Sequence, residues 1–413
     1  MVAGDPRARS PRLLVLGAGP AQLGLLEAAR AHGVWTAVAD RDPAAPGFAL
    51  ADRRCIVSTE DESAIERLAA ALDLDGVIAP GTDWPVAVAA RVAEKLGLPH
   101  PISPATALLA TSKLRQRERF AEAGVPQPRW QIVTGDETEL EPPLVVKAPD
   151  RQGQKGLSLV LERTELPHAI EAARASSRNG GVLVEELVDG PEVTISAFSS
   201  GGEFVPLAVT DRLTAPPPAF GVALAHVWPA ECLTQDTSGV RHSEVADVAR
   251  RAVEALGIEA GPTYTQLRIG PDGPEVMEVA ARLGGGHDAE LVEEALGVDL
   301  NGLALAAALG RSLRLPGSKD IEAVRPRVGG AVTRFLVAPP GVLESVEVPD
   351  RLEGVVRVRI YRRPGFVVAP LRRGPDRAGA LLAVGATREQ ALARAESAAD
   401  RIRFVTVDAE ALV

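Results

Sequence analysis

Hydrophobic and polar positions change period several times along the chain, and each change marks an element. RLLVLGAG (12–19) is an apolar run that stops at glycines, the pattern of a strand buried on both faces. PAQLGLLEAARAHG continues with helical spacing, Pro20 at its start and Gly33 at its end. VWTAVAD, CIVST and GVIAPG repeat the strand pattern. Between and after them lie the helices EDESAIERLAAALD, with a capping box of Thr59 and Glu62, and WPVAVAARVAEKLG. This alternation predicts an α/β unit, a Rossmann-like doubly wound parallel sheet over residues 1–107, ended by the proline-rich joint LPHPISPATA (98–107).

Beyond the joint the helix TSKLRQRERFAEAG leads to the strands PLVVKAP, LSLVLE and VLVEELV, with the helix ELPHAIEAARASSR among them. That unit is too small to stand alone and predicts an α+β lid over about 126–192 of a domain spanning 108–315. The chain then turns strand-rich to about Thr214, passes a TAPPPAFG loop and the helix SEVADVARRAVEALG, and pairs the strands TYTQLRI and PEVMEVA before two further helices. From residue 316 the strand-like GGAVTRFLVAP, GVVRVRIYRR and ALLAVG precede a helix opened by Thr387 and Gln390, which predicts a C-terminal α+β subdomain over 316–413.

Charge narrows the function classes. A formal net charge of −10 leaves no basic excess to neutralise nucleic-acid phosphates. No apolar run reaches transmembrane length, so no membrane partner is expected. The polar start MVAGDPRARSPR lacks a signal-peptide core, and two cysteines, Cys55 and Cys232, suit a reducing cytoplasm. The lipophilic C-terminal strands offer a surface for a homodimer. Of 45 basic residues only five are lysine, at 95, 113, 147, 155 and 319, so a retained lysine marks a place where a compact, mobile ammonium is needed. Lys95 and Lys319 sit in polar sequence and need no such reason.

Four stretches carry candidate chemistry. GAGPAQLG follows the first strand but has Gln22 where a dinucleotide fingerprint wants a third small residue, so it reads as a tight strand-to-helix turn, even with Asp40 about where a ribose-binding acid would stand. In PLVVKAPDRQGQKG, Lys147 lies late in an apolar strand, where a charge needs a partner such as phosphate; Gly153 and Gly156 let backbone N–H groups approach anionic oxygens, and Lys155 adds a mobile cation. The plain alternative is a polar hairpin turn. EELVDGPEV puts Glu185, Glu186, Leu187, Val188 and Glu192 around a turn, either as surface carboxylates or as a nucleotide site. In the second case Glu185 accepts from an adenine amino group, the backbone reads the base edge and Glu192 accepts from ribose. Finally, EVMEVAARLGGGH sets a carboxylate, Glu278, and a guanidinium, Arg282, four residues apart before Gly284, Gly285 and Gly286.

In this order, from the N-terminal sheet to about residue 310, these pieces resemble the ATP-grasp superfamily, and the C-terminal segment, with APPGVL and PLRRGPDRAGALLAVG, resembles its carboxylate–amine ligase branch, which includes amino-acid and dipeptide ligases. The resemblance implies an ATP-grasp fold and ATP with Mg²⁺ as cofactors. Lys113 and Lys147 then hold the α- and β-phosphates, the loop with Lys155 covers the γ-phosphate, Glu278 binds metal, and Arg282 stabilises the transferring phosphoryl group or oxyanion. The backbone of 284–286, with His287 or His226, is a candidate wall of the substrate pocket, although packing is the commoner role for a histidine. The chain departs from the resemblance at Gln266, where an acid is usual and only a neutral carbonyl ligand remains, and at Ala280, where Asn is frequent. The implied reaction joins a small carboxylate, such as an amino acid, to an amine through an acyl phosphate. A carboxyphosphate-using carboxylase and a catalytically degenerate ATP-binding protein are the alternatives.

Overall fold

The computed structural model of the chain describes residues 9–135, 137–234, 240–313, 315 and 325–408. The expected start of the C-terminal subdomain at Pro316, Lys319 and most of the N-terminal polar tail lie outside them. Among the described residues no helix is long and apolar enough to cross a membrane.

The N-terminal unit is β1 (Arg12–Leu16), α1 (Leu23–Ala31), β2 (Trp35–Asp40), β3 (Arg53–Ile56), α2 (Glu62–Ala71), β4 (Gly76–Ile78) and α3 (Asp83–Leu96). Its strands form the expected parallel sheet, in the order β3-β2-β1-β4. The start of α2 differs from expectation. Asp61, immediately before the first helical residue, accepts from the Ala64 N–H at 3.0 Å, so it caps the helix and Thr59 stands too early to do so. Asp40 is engaged locally, accepting from the N–H groups of Ala18 and Asp42 at 2.8 and 3.0 Å, and shows no sign of a ribose role.

Helices α4 (Pro104–Ala110) and α5 (Lys113–Glu122) lead into the lid, whose strands are β5 (Trp130–Val133), β6 (Leu144–Lys147), β7 (Leu157–Val160) and β8 (Val182–Glu186), backed by α6 (Leu166–Ser176). The lid sheet is antiparallel in the order β5-β8-β6-β7, over a core of its own that includes Leu144, Val146, Ile170 and Val184.

The main body holds β9 (Glu192–Ser200), β10 (Glu203–Thr214), β11 (Ala223–Trp228), α7 (Glu231–Thr234), α8 (His242–Ala255), β12 (Gly261–Gly270), β13 (Gly273–Ala280), α9 (Asp288–Leu296) and α10 (Leu300–Ala308). After it come β14 (Gly330–Leu336), β15 (Gly341–Glu347), β16 (Val355–Ile360), β17 (Val367–Val368), β18 (Gly379–Gly385), α11 (Arg388–Arg401) and β19 (Arg403–Val407). Instead of closing on themselves, β14, β18 and β16 extend the main sheet, giving eight strands in the order β13-β12-β9-β10-β11-β14-β18-β16. Only β17-β15-β19 form a separate small sheet, so the C-terminal segment is a continuation of the central domain more than an appended one. Thr387 caps α11 as expected, accepting from the Gln390 N–H at 3.2 Å while Gln390 Oε1 accepts from Ala386 at 2.7 Å.

The N-terminal sheet packs on the main body through both faces. Leu14 and Leu16 share a core with Ile195, Leu267 and Val276, and Leu13 and Val15 share another with Phe198, Leu291 and Leu305. This double anchoring holds the N-terminal unit beside β12 and β13, where the candidate residues gather.

Candidate active site

A cleft lies between lid and main sheet, lined from the lid by Lys147 and loop 151–155 and from the sheet by Glu192, Arg212, Gln266 and Glu278. Helix α5 opens beside it. Ser112 caps its first turn by accepting from the Arg115 N–H, and the Lys113 N–H donates to the Pro149 carbonyl at 3.0 Å. That start places Lys113 Nζ 2.7 Å from Glu278 Oε1 and 2.8 Å from the Arg151 carbonyl.

One helical turn on, Arg117 is fully buried. It donates to Glu185 at 2.7 Å and to the carbonyls of Val276 and Met277 at 2.8 and 2.9 Å. Lys147 Nζ holds the other Glu185 oxygen at 2.5 Å. Burial alone would raise the Glu185 pKa; Arg117 and Lys147 more than offset it and hold the carboxyl down to about 2. Each Glu185 oxygen has a cationic partner, so beyond the expected contact with a base Glu185 also fixes Lys147 at the cleft wall. Glu186 lies at the rim, 2.9 Å from Arg129. The N–H groups of Glu186 and Leu187 donate to the carbonyls of Arg129 and Pro143, each at 3.0 Å, and the Val188 carbonyl accepts from Arg268 at 2.8 Å. The hinge offers a base edge less free backbone than expected. Glu192 lines the cleft but pairs with Arg212 at 2.6 Å and more loosely with Arg268 at 3.8 Å.

The loop between β6 and β7 winds through left-handed conformations at Gly153, Gln154 and Gly156. A side chain at Gly156 would meet Ser176 Cβ at 2.6 Å, so glycine is required there for space as well as for φ. Lys155 is exposed, its pKa lowered by partial burial and by the positive charges of Arg151, Arg373 and Arg41, partly offset by Glu60. Gln152 reaches across to accept from the Asp83 N–H at 2.6 Å. Nearby, Arg178 of the lid forks onto Glu60 with two bonds of 2.8 Å and lies 4.1 Å over the Trp84 ring. The lid is thus clasped to the N-terminal unit.

Strand β13 delivers Glu278 opposite Gln266 on β12, after a bulge at the Gln266/Leu267 step. Arg282 Nε donates to Asp83 Oδ1 at 2.6 Å and Nη1 to the Leu283 carbonyl at 2.8 Å. The three glycines that follow are closely packed. None has a positive φ. A Cβ at Gly284 would collide with Asp288 Oδ2, and one at Gly286 with Cε1 of His226. The Gly286 N–H, expected to face substrate, donates to Asp288 Oδ2 at 3.0 Å. Asp288 Oδ1 lies 2.6 Å from His226 Nδ1; burial would raise the Asp288 pKa, and the imidazole holds it below its ordinary value. His287, itself at φ 61°, lies 3.1 Å from Glu290 Oε1 through Nδ1 and 2.6 Å from the Tyr361 hydroxyl through Nε2.

Lys113, Lys147, Gly153, Lys155, Glu185, Glu186, Leu187, Val188, Glu192, Gln266 and Glu278 all line the cleft, whereas Gly156, Arg282, Gly284–Gly286, His226 and His287 do not. Sequence reasoning missed Asp83, Arg117, Arg151, Gln152, Arg212 and Arg268. Arg117 alone carried a signal, its place four residues after Lys113 on one helix face.

A family model described as an ATP-grasp domain matches residues 140–290, and one described as L-amino acid ligase C-terminal domain 2 matches residues 334–407. The chain belongs to the ATP-grasp family. It is 30% identical over 372 residues to the uncharacterized protein y4rH of Sinorhizobium fredii, covering 85% of this chain and 73% of that one. It is 29% identical over 220 residues to a D-alanine–D-alanine ligase of a Synechococcus strain, covering 50% of this chain and 61% of the ligase. The crystal structure of the L-amino acid ligase from Bacillus licheniformis superposes with a TM-score of 0.80 at 24% identity, over 97% of this chain and 100% of that one. In ATP-grasp terms, the cleft is the space between lid and central domain.

Proposed function

We propose that this ATP-grasp protein is an ATP-dependent carboxylate–amine ligase that joins amino-acid-type substrates in a reducing cytoplasm. A carboxylate attacks the γ-phosphorus, ADP leaves, and the resulting acyl phosphate is attacked by an amine to give an amide and inorganic phosphate. The observation that carries this reading is the convergence of Lys113, Lys147 and Lys155 on one cleft opposite Glu278. Phosphoryl transfer needs positioning and charge neutralisation more than a protein nucleophile, and this cleft supplies both.

Lys113 and Lys147 orient the non-transferred phosphates, and Lys155, on a loop tied to Asp83, brings positive charge over the transferred group. Arg282, held by Asp83 just outside the cleft lining, is assigned to the developing oxyanion on the strength of the ATP-grasp resemblance. Glu278 and Gln266 present a carboxylate and a carbonyl from paired strands, hard oxygen donors that fit Mg²⁺, and they would hold it there. When bound, the ion neutralises phosphate charge. His226 and His287, locked by Asp288 and Glu290, shape the wall behind the glycines.

The test is phosphate release from ATP over pairs of amino acids. Release that needs both a carboxylate and an amine, with the amide found by mass spectrometry, supports the ligase. Release driven by bicarbonate identifies a carboxylase, and nucleotide binding with no turnover identifies a degenerate protein. Arg282→Ala is expected to lower kcat by about 10²–10³ with little change in ATP affinity, as for loss of one oxyanion-stabilising donor. Full activity in that variant removes Arg282 from the mechanism.

A further inference from the structure

We infer that the site takes a single divalent cation with its nucleotide, held by Glu278 and the Gln266 side-chain carbonyl, and that Lys113 occupies the place of any second cation. The inference rests on reading the cleft as the ATP site.

Ligand supply comes first. Glu278 is the only carboxylate on the paired strands β12 and β13 that lines the cleft, and the residue opposite it is the neutral Gln266. Two positions on, where strand period returns a side chain to the same face, Ala280 offers no oxygen. The other cleft carboxylates have cationic partners: Glu185 holds Arg117 and Lys147, Glu192 holds Arg212, and Glu186 holds Arg129. Among the described residues no group of three or more His, Cys, Asp or Glu is placed to hold a metal ion. Mg²⁺ needs about six oxygen ligands. One carboxylate and one amide carbonyl give a minority, so phosphate oxygens and water must complete the shell, and the paired strands hold no further carboxylate to anchor a second ion.

Charge gives the same answer independently. Six cationic side chains (Lys113, Lys147, Arg151, Lys155, Arg212 and Arg268) and four carboxylates (Glu185, Glu186, Glu192 and Glu278) line the cleft, an excess of two positive charges. ATP brings about four negative charges, and one divalent cation then restores neutrality, whereas a second leaves two positive charges without compensation in a partly buried site. Lys113 Nζ, 2.7 Å from Glu278 Oε1, already stands beside the one anionic ligand as a monovalent cation.

Electron paramagnetic resonance with Mn²⁺ and a non-hydrolysable ATP analogue tests this on the intact protein. The expected result is one Mn²⁺ per bound nucleotide, with no spin–spin broadening. Gln266→Glu should tighten Mn²⁺ at least tenfold while keeping that ratio, and Glu278→Gln should weaken it at least a hundredfold. Two Mn²⁺ ions per nucleotide in the native protein overturn the inference, as does a Gln266→Glu variant with unchanged Mn²⁺ affinity. Nucleotide binding, followed in parallel with a fluorescent analogue, separates the two levels: its absence overturns the cleft reading itself, and its presence with a ratio of two overturns only the single-ion inference.

Discussion

Glu185→Gln tests the polar core beneath the cleft. The Glu185 and Arg117 side chains are each 2% exposed and Lys147 is 9% exposed. Arg117 and Lys147 hold the native carboxyl down to about 2 from its ordinary 4.5, so the ionised form is the one the buried cluster is built around. Removing the charge leaves two buried cations side by side. Arg117 keeps the carbonyls of Val276 and Met277, but Lys147 loses its only ion-pair partner among the described residues. Breaking a buried pair from one side costs about 3–5 kcal/mol. The assay is urea unfolding followed by tryptophan fluorescence, because Trp130 on β5 is the cross-strand partner of Glu185 and reports on the lid directly. Glu186→Gln is the control: its pair with Arg129 is largely solvent-exposed, and its loss should cost less than about 1 kcal/mol. A Glu185→Gln protein that loses no more than this control would show that Glu185 does not hold the lysine in place.

Two further outcomes follow from the geometry. Gly286→Ala drives a methyl group into the His226 ring, which Asp288 pins at 2.6 Å, so it should destabilise by about 1–3 kcal/mol, measured by calorimetry, while leaving nucleotide affinity intact, since neither residue lines the cleft. The carboxyls of Glu185 and Glu290 are both held down to about 2 against an ordinary 4.5, so their stabilising contribution is fully present above pH 4.5 and disappears as pH falls from there towards 2. Acid unfolding followed by circular dichroism should steepen in that window, and Glu290→Gln should make the slope shallower.

The N-terminal sheet was legible because burial on both faces leaves a plain sequence trace: short apolar runs ending in turn residues, separated by helices. The extension of the main sheet was not. β14 pairs with β11 by setting Thr333 opposite His226, and nothing in the local period of either strand announces a partner more than 100 residues away. The same limit hid the boundary of the C-terminal segment, since a strand reads alike whether it begins a new sheet or adds to an old one. The packing role of the glycines at 284–286 was hidden for a related reason. A glycine needed for close approach and a glycine needed for flexibility look identical until the neighbour, here Asp288 or His226, is in place.

In the site, the cations divide by type. Lysine is scarce in this chain, so Lys113, Lys147 and Lys155 stood out, and all three line the cleft. Arginine is everywhere, so Arg117, Arg151, Arg212 and Arg268 carried no compositional signal. Asp83 was invisible for a deeper reason. It begins α3 in the N-terminal unit, 199 residues from Arg282, and its role exists only because both faces of the N-terminal sheet are buried against the main body. Once there, it ties two parts of the chemistry together. Its carboxylate accepts from Arg282 at 2.6 Å and its N–H donates to Gln152 of the 151–155 loop at 2.6 Å. A loop displaced from the cleft must give up that second bond, and it does so at the residue that aims Arg282. Loop position and guanidinium orientation therefore share one anchor. That gives a physical reason for a carboxylate at position 83: it holds Arg282 through its side chain and the 151–155 loop through its N–H.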